Sequence, residues 1–228
     1  MKTLARVLAT LVALTLVAGV GIVGWWLLYG DRNAPLPLQD QCVARVADLD
    51  VALSTEQTRN ASIIVGVATR RGLVPRASTI ALATVYQESG IRNLDYGDRD
   101  SLGLFQQRPS QGWGDREEIL DPVHATNAFY DALERVDGYE DLAITVAAQE
   151  VQRSGFPEAY ADHEADARAL ASALTGHSPA ALTCTLDDEG EGNGAGDVGL
   201  VRSDIAIGFG SQDVTRVPGG VALPMDRD

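Results

Sequence analysis

Basic residues are scarce in this sequence: 18 Lys and Arg stand against 32 Asp and Glu, a formal net charge of −14. Such a chain has no clustered Lys/Arg face with which to neutralise phosphates, which excludes nucleic-acid binding through a basic surface. Two scattered cysteines and three histidines are too few for a zinc cluster, so neither a metal nor another cofactor is expected. Every base except Lys2 is arginine, a skew that reports genome composition more often than function. Aromatic residues make up only 6% of the chain. Sustained period-two alternation is also missing, so the body reads as mainly α. What remains is a globular composition, 45% hydrophobic and 22% charged over 228 residues, enough for one ordinary domain with appendages.

The one long hydrophobic run lies at the N-terminus. From Val7 to Gly30 there is no charge, preceded by Lys2 and Arg6 and followed by Asp31. A helix of that length spans the roughly 30 Å hydrocarbon core of a bilayer with some tilt. Trp25, Trp26 and Tyr29 cluster at its far end, where amphipathic rings favour the interface. The positive-inside rule then leaves everything after Asp31 outside the cytoplasm. Cleavage as a signal peptide is the alternative and would make the protein secreted, but no A-x-A-like site follows the run. The predicted order is an anchor over residues 1–30, a Pro-rich spacer over 31–40, a globular domain over 41–186 and an acidic, Gly-rich linker and tail over 187–228.

An extracytoplasmic placement makes the cysteines legible. Cys42 and Cys184 bracket the globular stretch with no third thiol to compete, so one disulfide clamping its two ends is expected. Closing so long a loop is worth roughly 4–5 kcal/mol by chain entropy alone.

Helix punctuation is clear inside the body. Ser54-Thr-Glu-Gln57 is a capping-box pattern, and Gly72 stops the helix it opens. Pro75 starts a second helix that Gly90 ends, and Asp121-Pro122 opens a third. Further helices are expected over 141–151 and 157–174.

Glu88 lies near the end of the second helix. Four, seven and eight residues before it stand Thr84, Ala81 and Ile80, the inward stripe, so the carboxyl projects from the apolar face. There, desolvation and the negative end of the helix dipole both favour the neutral acid, the form a general acid for glycosidic cleavage requires. A hydrated, inert Glu at the domain rim is the alternative.

The residues that follow carry a family resemblance. Glu88-Ser89-Gly90, then Ser101-Leu102-Gly103-Leu104-Phe105-Gln106 with Pro109 beyond, resemble the Glu-Ser and Gly-Leu-Met/Phe-Gln motifs of lytic transglycosylases. Leu120-Asp-Pro122 with Thr126-Asn127 is similar to that family's Asp-Pro-x-x-Asn segment. These enzymes belong to the lysozyme-like superfamily, alongside goose-type lysozymes, and the likeness covers residues 57–167. It implies a lysozyme-like fold and cleavage of the β-1,4 bond between N-acetylmuramic acid and N-acetylglucosamine in peptidoglycan. The Glu acts first as acid and then as base, closing a 1,6-anhydro ring on the muramyl residue. No second carboxylate is demanded, because the substrate's N-acetyl group assists. On this reading Glu88 is catalytic, Ser89 supports it, and Ser101, Phe105, Gln106, Gln107, Gln149 and Tyr160 line the glycan site. Glycan strands are then the partner, and the membrane the tether.

One departure stands out. Where the family carries Ala-Ala-Tyr-Asn-Ala-Gly, this chain reads Ala147-Ala148-Gln149-Glu150-Val151-Gln152, so the Tyr near the catalytic Glu is missing and Tyr160 is the candidate to replace it. Asp95, Asp98 and Asp100 are either loop residues making Asx-turns or a source of the second carboxylate for lysozyme-type hydrolysis. His163, with Asp162, Glu164 and Asp166, reads as a solvated face before it reads as a metal site. His124 sits at a helix start as a surface or capping residue, and the Asn60-Ala-Ser62 glycosylation pattern falls inside a helix. Trp113 either stacks on a sugar or plugs the core. The rival to an enzyme is a non-catalytic wall-binding module with the same fold.

Overall fold

The computed structural model describes residues 41–185 and the backbone of 215–217 and 220–222. The expected anchor, the spacer and most of the expected tail lie outside the described residues. Among the described residues no helix is long and apolar enough to cross a membrane. Within the expected tail, Thr215–Val217 and Gly220–Ala222 pair as a short antiparallel hairpin.

The helices form where the punctuation places them. α1 spans Thr55–Arg70 behind a complete capping box, in which the Ser54 hydroxyl accepts from the Gln57 N–H and the Gln57 side chain accepts from the Ser54 N–H. α2 spans Pro75–Ser89 with proline in its first turn and ends on Gly90, whose φ of 62° only glycine adopts freely. A short helix not expected from sequence, α3 (Arg116–Leu120), precedes α4 (Pro122–Leu133), and Asp121 caps α4 by accepting from the Val123 and His124 N–H groups. α5 runs over Ile144–Gln152 and α6 over Glu164–Leu174.

α2 is the central element. Ile80, Ala81, Leu82, Ala83 and Val85 are all fully buried, so the helix is covered on every side, by α1, α4, α5 and α6. Its alanines let those neighbours approach closely. Arg71, just after α1, ties that helix to α4: its guanidinium bonds Asn127, Asp131 and Glu134 and lies over the Tyr130 ring. The buried Tyr130 hydroxyl in turn donates to the Ile64 carbonyl at 3.1 Å. A central helix so tightly enclosed is a rigid mount for whatever its last turn carries.

Two expectations need correction. First, the body contains a three-stranded antiparallel sheet, β1 (Gln41–Val46), β2 (Leu49–Ser54) and β3 (Leu182–Thr185), in the order β2-β1-β3. The alternation is present but short: Cys42 and Ala44 face inward from β1, Val51 and Leu53 from β2. Their apolar outward neighbours Val43 and Ala52 blur the period. The hairpin turn uses Ala47 at φ 52° instead of the glycine or asparagine that would have announced it. Second, 157–174 is not one helix. A 3₁₀ turn at Ala159–His163 precedes α6, and the break falls where His163 turns back to stack on Tyr86.

The sheet joins the two ends of the domain. Cys42 and Cys184 are directly paired across β1 and β3 and form the expected disulfide, with Cα atoms 3.9 Å apart.

Candidate active site

Glu88 occupies the last turn of α2, half-buried. Its Oε1 accepts a hydrogen bond from the Tyr160 hydroxyl at 2.7 Å, and no other bond to its carboxylate is made among the described residues. The Tyr160 ring is wholly buried. Burial pushes its phenol well above the usual tyrosine range; the bond to Glu88 and that carboxylate's charge add to the shift, while the Ser154 hydroxyl opposes it. The phenol therefore keeps its proton at neutral pH and serves as a permanent donor to Glu88.

The 3₁₀ turn that carries Tyr160 grips three consecutive residues of α2. His163 stacks flat on Tyr86, centroids 5.3 Å apart and planes 6° from parallel, and its Nε2 lies 3.0 Å from Oε1 of Gln87. Tyr160 takes Glu88. Burial and the nearby Asp166 charge push the Tyr86 phenol up to about 12, so it too stays neutral.

Behind Glu88 the backbone is held in unusual conformations. Gly90 and Ile91 both lie in the left-handed region, Ile91 at φ 60°, a rare place for a β-branched residue. Side chains from α1 hold this pair: Gln57 donates to the Gly90 carbonyl at 2.8 Å and Asn60 to the Ile91 carbonyl at 2.9 Å. Gln106 at φ 47° and Arg153 at φ 51° are further non-glycine residues in the same region. Each costs on the order of 1–3 kcal/mol, and such strain clusters at functional sites.

The loop carrying Ser101 to Gln107 folds against this framework. Ser89 donates to the Leu104 carbonyl at 2.7 Å, fixing the loop to the helix end. Leu102 and Gln107 exchange backbone bonds around a tight turn at Gly103, φ 76°, where a Cβ would stand 2.6 Å from the Ile119 carbonyl oxygen. Gln106 donates to the Gly103 and Tyr96 carbonyls at 3.2 and 3.3 Å, and its amide lies directly over Gly97. Asn93 anchors the loop to α3 by donating to Leu120 at 2.7 Å.

Several expected site residues make their contacts within the fold. Phe105 is fully buried and stacks on Phe129 at 4.5 Å. Gln107 is buried and donates to the Ala125 carbonyl at 3.2 Å, and Ser101 is buried with its N–H on the Asp98 carbonyl. Gln149 donates to the Ser154 carbonyl at 2.9 Å, while its Oε1 is buried with no partner among the described residues. Trp113 is half-buried, packed against the core on one side and lining a groove on the other. Asn60 of the glycosylation pattern is buried in α1.

Asp100 is a clamp: one carboxylate oxygen takes the Arg108 Nε at 2.7 Å and the other the Ser110 N–H at 2.8 Å. Ser110, through its side chain and backbone, and then Arg108 hold this carboxyl well below the usual carboxylate range. A depressed folded-state pKa contributes stability that is present above the unfolded value, about pH 4, and is lost as pH falls below it. Asp100→Asn is therefore expected to lower the melting temperature at pH 7, with the difference from wild type shrinking steadily below about pH 4. A constant difference across that range would show that the clamp acts through packing alone. Asp95 and Asp98 remain exposed.

Gln152, Ser154 and the side-chain amides of α1 also belong to this framework, although none is expected at the site. Gln152 donates to the Phe105 carbonyl at 2.9 Å, tying α5 to the loop. Polar residues clustered just past a helix end, as in Gln152-Arg153-Ser154-Gly155, are the signal that marks such a position. Glu88, Ser89 and Tyr160 are thus brought together, with Gln106 in the loop that Ser89 secures. No family model and no curated protein matches this sequence.

Proposed function

We propose that this protein cleaves peptidoglycan glycan strands as a lytic transglycosylase, held at the outer face of the cytoplasmic membrane by residues 7–30. The observation that carries this reading is the Tyr160–Glu88 hydrogen bond at the end of the rigid central helix. The family's tyrosine is missing from α5, and a phenol from a different element stands on the candidate acid instead.

The chemistry follows from the two oxygens of one carboxyl group. Tyr160 holds Oε1, leaving Oε2 to carry the proton. Glu88 passes that proton to the glycosidic oxygen as the C–O bond to the muramyl C1 breaks, and the N-acetylglucosamine strand leaves as an alcohol. The resulting carboxylate takes the proton of the muramyl 6-hydroxyl, whose oxygen bonds to C1 and closes the anhydro ring. Water is not consumed, and Glu88 ends protonated as it began. Asp100, with both oxygens engaged, is poorly placed to act as the second carboxylate of a hydrolase.

A Tyr160→Phe variant tests the pairing. The loss of one charge-assisted bond to the acid/base is expected to lower kcat on purified peptidoglycan about tenfold with KM little changed. An unchanged kcat in a folded variant removes Tyr160 from the mechanism.

A further inference from the structure

We infer that a groove beside α5 binds the peptide branch of peptidoglycan, at a place separate from the seat of Glu88; the identity of the ligand rests on the reading above. The groove is open to solvent and has a volume of about 1020 Å³. Its apolar lining includes Trp113 and Val146, the latter 43% exposed. Charges of both signs line it: Asp131, which is paired with Arg71, and the residues Arg135, Asp137, Glu150 and Arg153. Arg135 and Asp137 follow α4, while Glu150 and Arg153 close α5. All four are exposed, and none forms an ion pair among the described residues.

Exposed charges of both signs beside apolar side chains such as Trp113 and Val146 suit a ligand that carries both signs and small apolar groups. A glycan strand presents mainly hydroxyls and acetamides, and an anionic polymer presents one sign. A short peptide containing a diamino acid offers an ammonium to Asp137 and Glu150, carboxylates to Arg135 and Arg153, and alanine methyls to Trp113. Such exposed pairs are individually weak, so recognition depends on several acting together. One hydrogen bond links the groove wall to the loop that packs against the Glu88 helix end. Gln152 lines the groove and donates to the Phe105 carbonyl, one residue beyond the Leu104 carbonyl that secures the Glu88 helix end through Ser89.

The test is calorimetric titration of the full chain with a synthetic L-Ala-D-Glu-diaminopimelate-D-Ala tetrapeptide. Saturable binding is expected, weakened at least tenfold by Arg135→Glu or Arg153→Glu and weakened in high salt. Arg135→Lys keeps the charge and is expected to bind within a few-fold of wild type. Melting temperatures of the variants exclude unfolding as the cause, since both side chains are exposed. Failure to bind the peptide, or equal affinity in the charge-reversed variants, overturns the inference. So does a groove that takes an uncharged chitin tetrasaccharide in the peptide's place. Because binding is read without turnover, a protein that binds the peptide but cleaves nothing overturns only the preceding proposal. One that cleaves strands without binding the peptide overturns only this one.

Discussion

Replacing Glu88 with glutamine is expected to reduce release of soluble fragments from purified peptidoglycan by about 10²–10⁴-fold, the usual worth of general acid/base assistance. Glutamine fills nearly the same volume and still accepts a hydrogen bond from Tyr160 through its amide oxygen, so the last turn of α2 keeps its contacts. What it cannot do is deliver a proton to the leaving oxygen and take one back. The melting temperature and the amount of protein sedimenting with intact walls should therefore stay close to wild type while turnover collapses. Residual activity within a few-fold of wild type would remove Glu88 from the chemistry and turn attention to Asp95 and Asp98, the exposed carboxylates of the neighbouring loop.

The second large effect concerns the sheet. Cys42 and Cys184 join strands whose sequence positions are 142 residues apart, so the crosslink restricts almost the whole unfolded domain. Loss of a native disulfide of this kind commonly costs about 2–5 kcal/mol. A Cys42→Ala/Cys184→Ala double variant is expected to shift the urea midpoint of the full chain down accordingly with its slope little altered. It should retain turnover under conditions where it stays folded, because neither cysteine approaches Glu88 in sequence or through the contacts of the site. A midpoint equal to wild type would show that pairing of β1 with β3 and the packing beneath them hold the domain ends unaided.

The parts of the fold that could be read from sequence are those governed by local rules. Ser54 and Gln57, Pro75 and Gly90, and Asp121 with Pro122 each mark a helix end through bonds made within a few residues, and all three helices appear where those marks stand. The sheet was not legible because the β1–β2 turn lacks a glycine or asparagine signal and the third strand pairs remotely. β3 spans four residues, has only one thiol to identify its neighbour, and meets β1 across the whole domain. The five-residue α3 is not evident in the sequence although Asp115 and Glu118 form a capping box, since so short a segment shows no helical period.

The site divides in the same way. Glu88 could be placed from the inward stripe of α2, a property of one helix. Tyr160 could be named as the replacement only because the family's tyrosine is missing; its bond to Glu88 spans 72 residues and depends on a 3₁₀ turn that no periodicity announces. Residue identity also misleads where polar side chains serve the backbone. Gln107, Asn93 and Gln57 all bond main-chain carbonyls of the loop framework or of the helices beside it, a duty indistinguishable in sequence from ligand binding.

The most direct test of the proposed chemistry is mass analysis of the fragments that the full chain releases from purified peptidoglycan. Muropeptides whose muramyl ends are closed as 1,6-anhydro sugars are expected, each lighter by one water than its hydrolytic counterpart, with none above background from Glu88→Gln. Fragments with only free reducing ends would contradict internal capture by the 6-hydroxyl, and the absence of any fragment from active-site-intact protein would contradict catalysis itself.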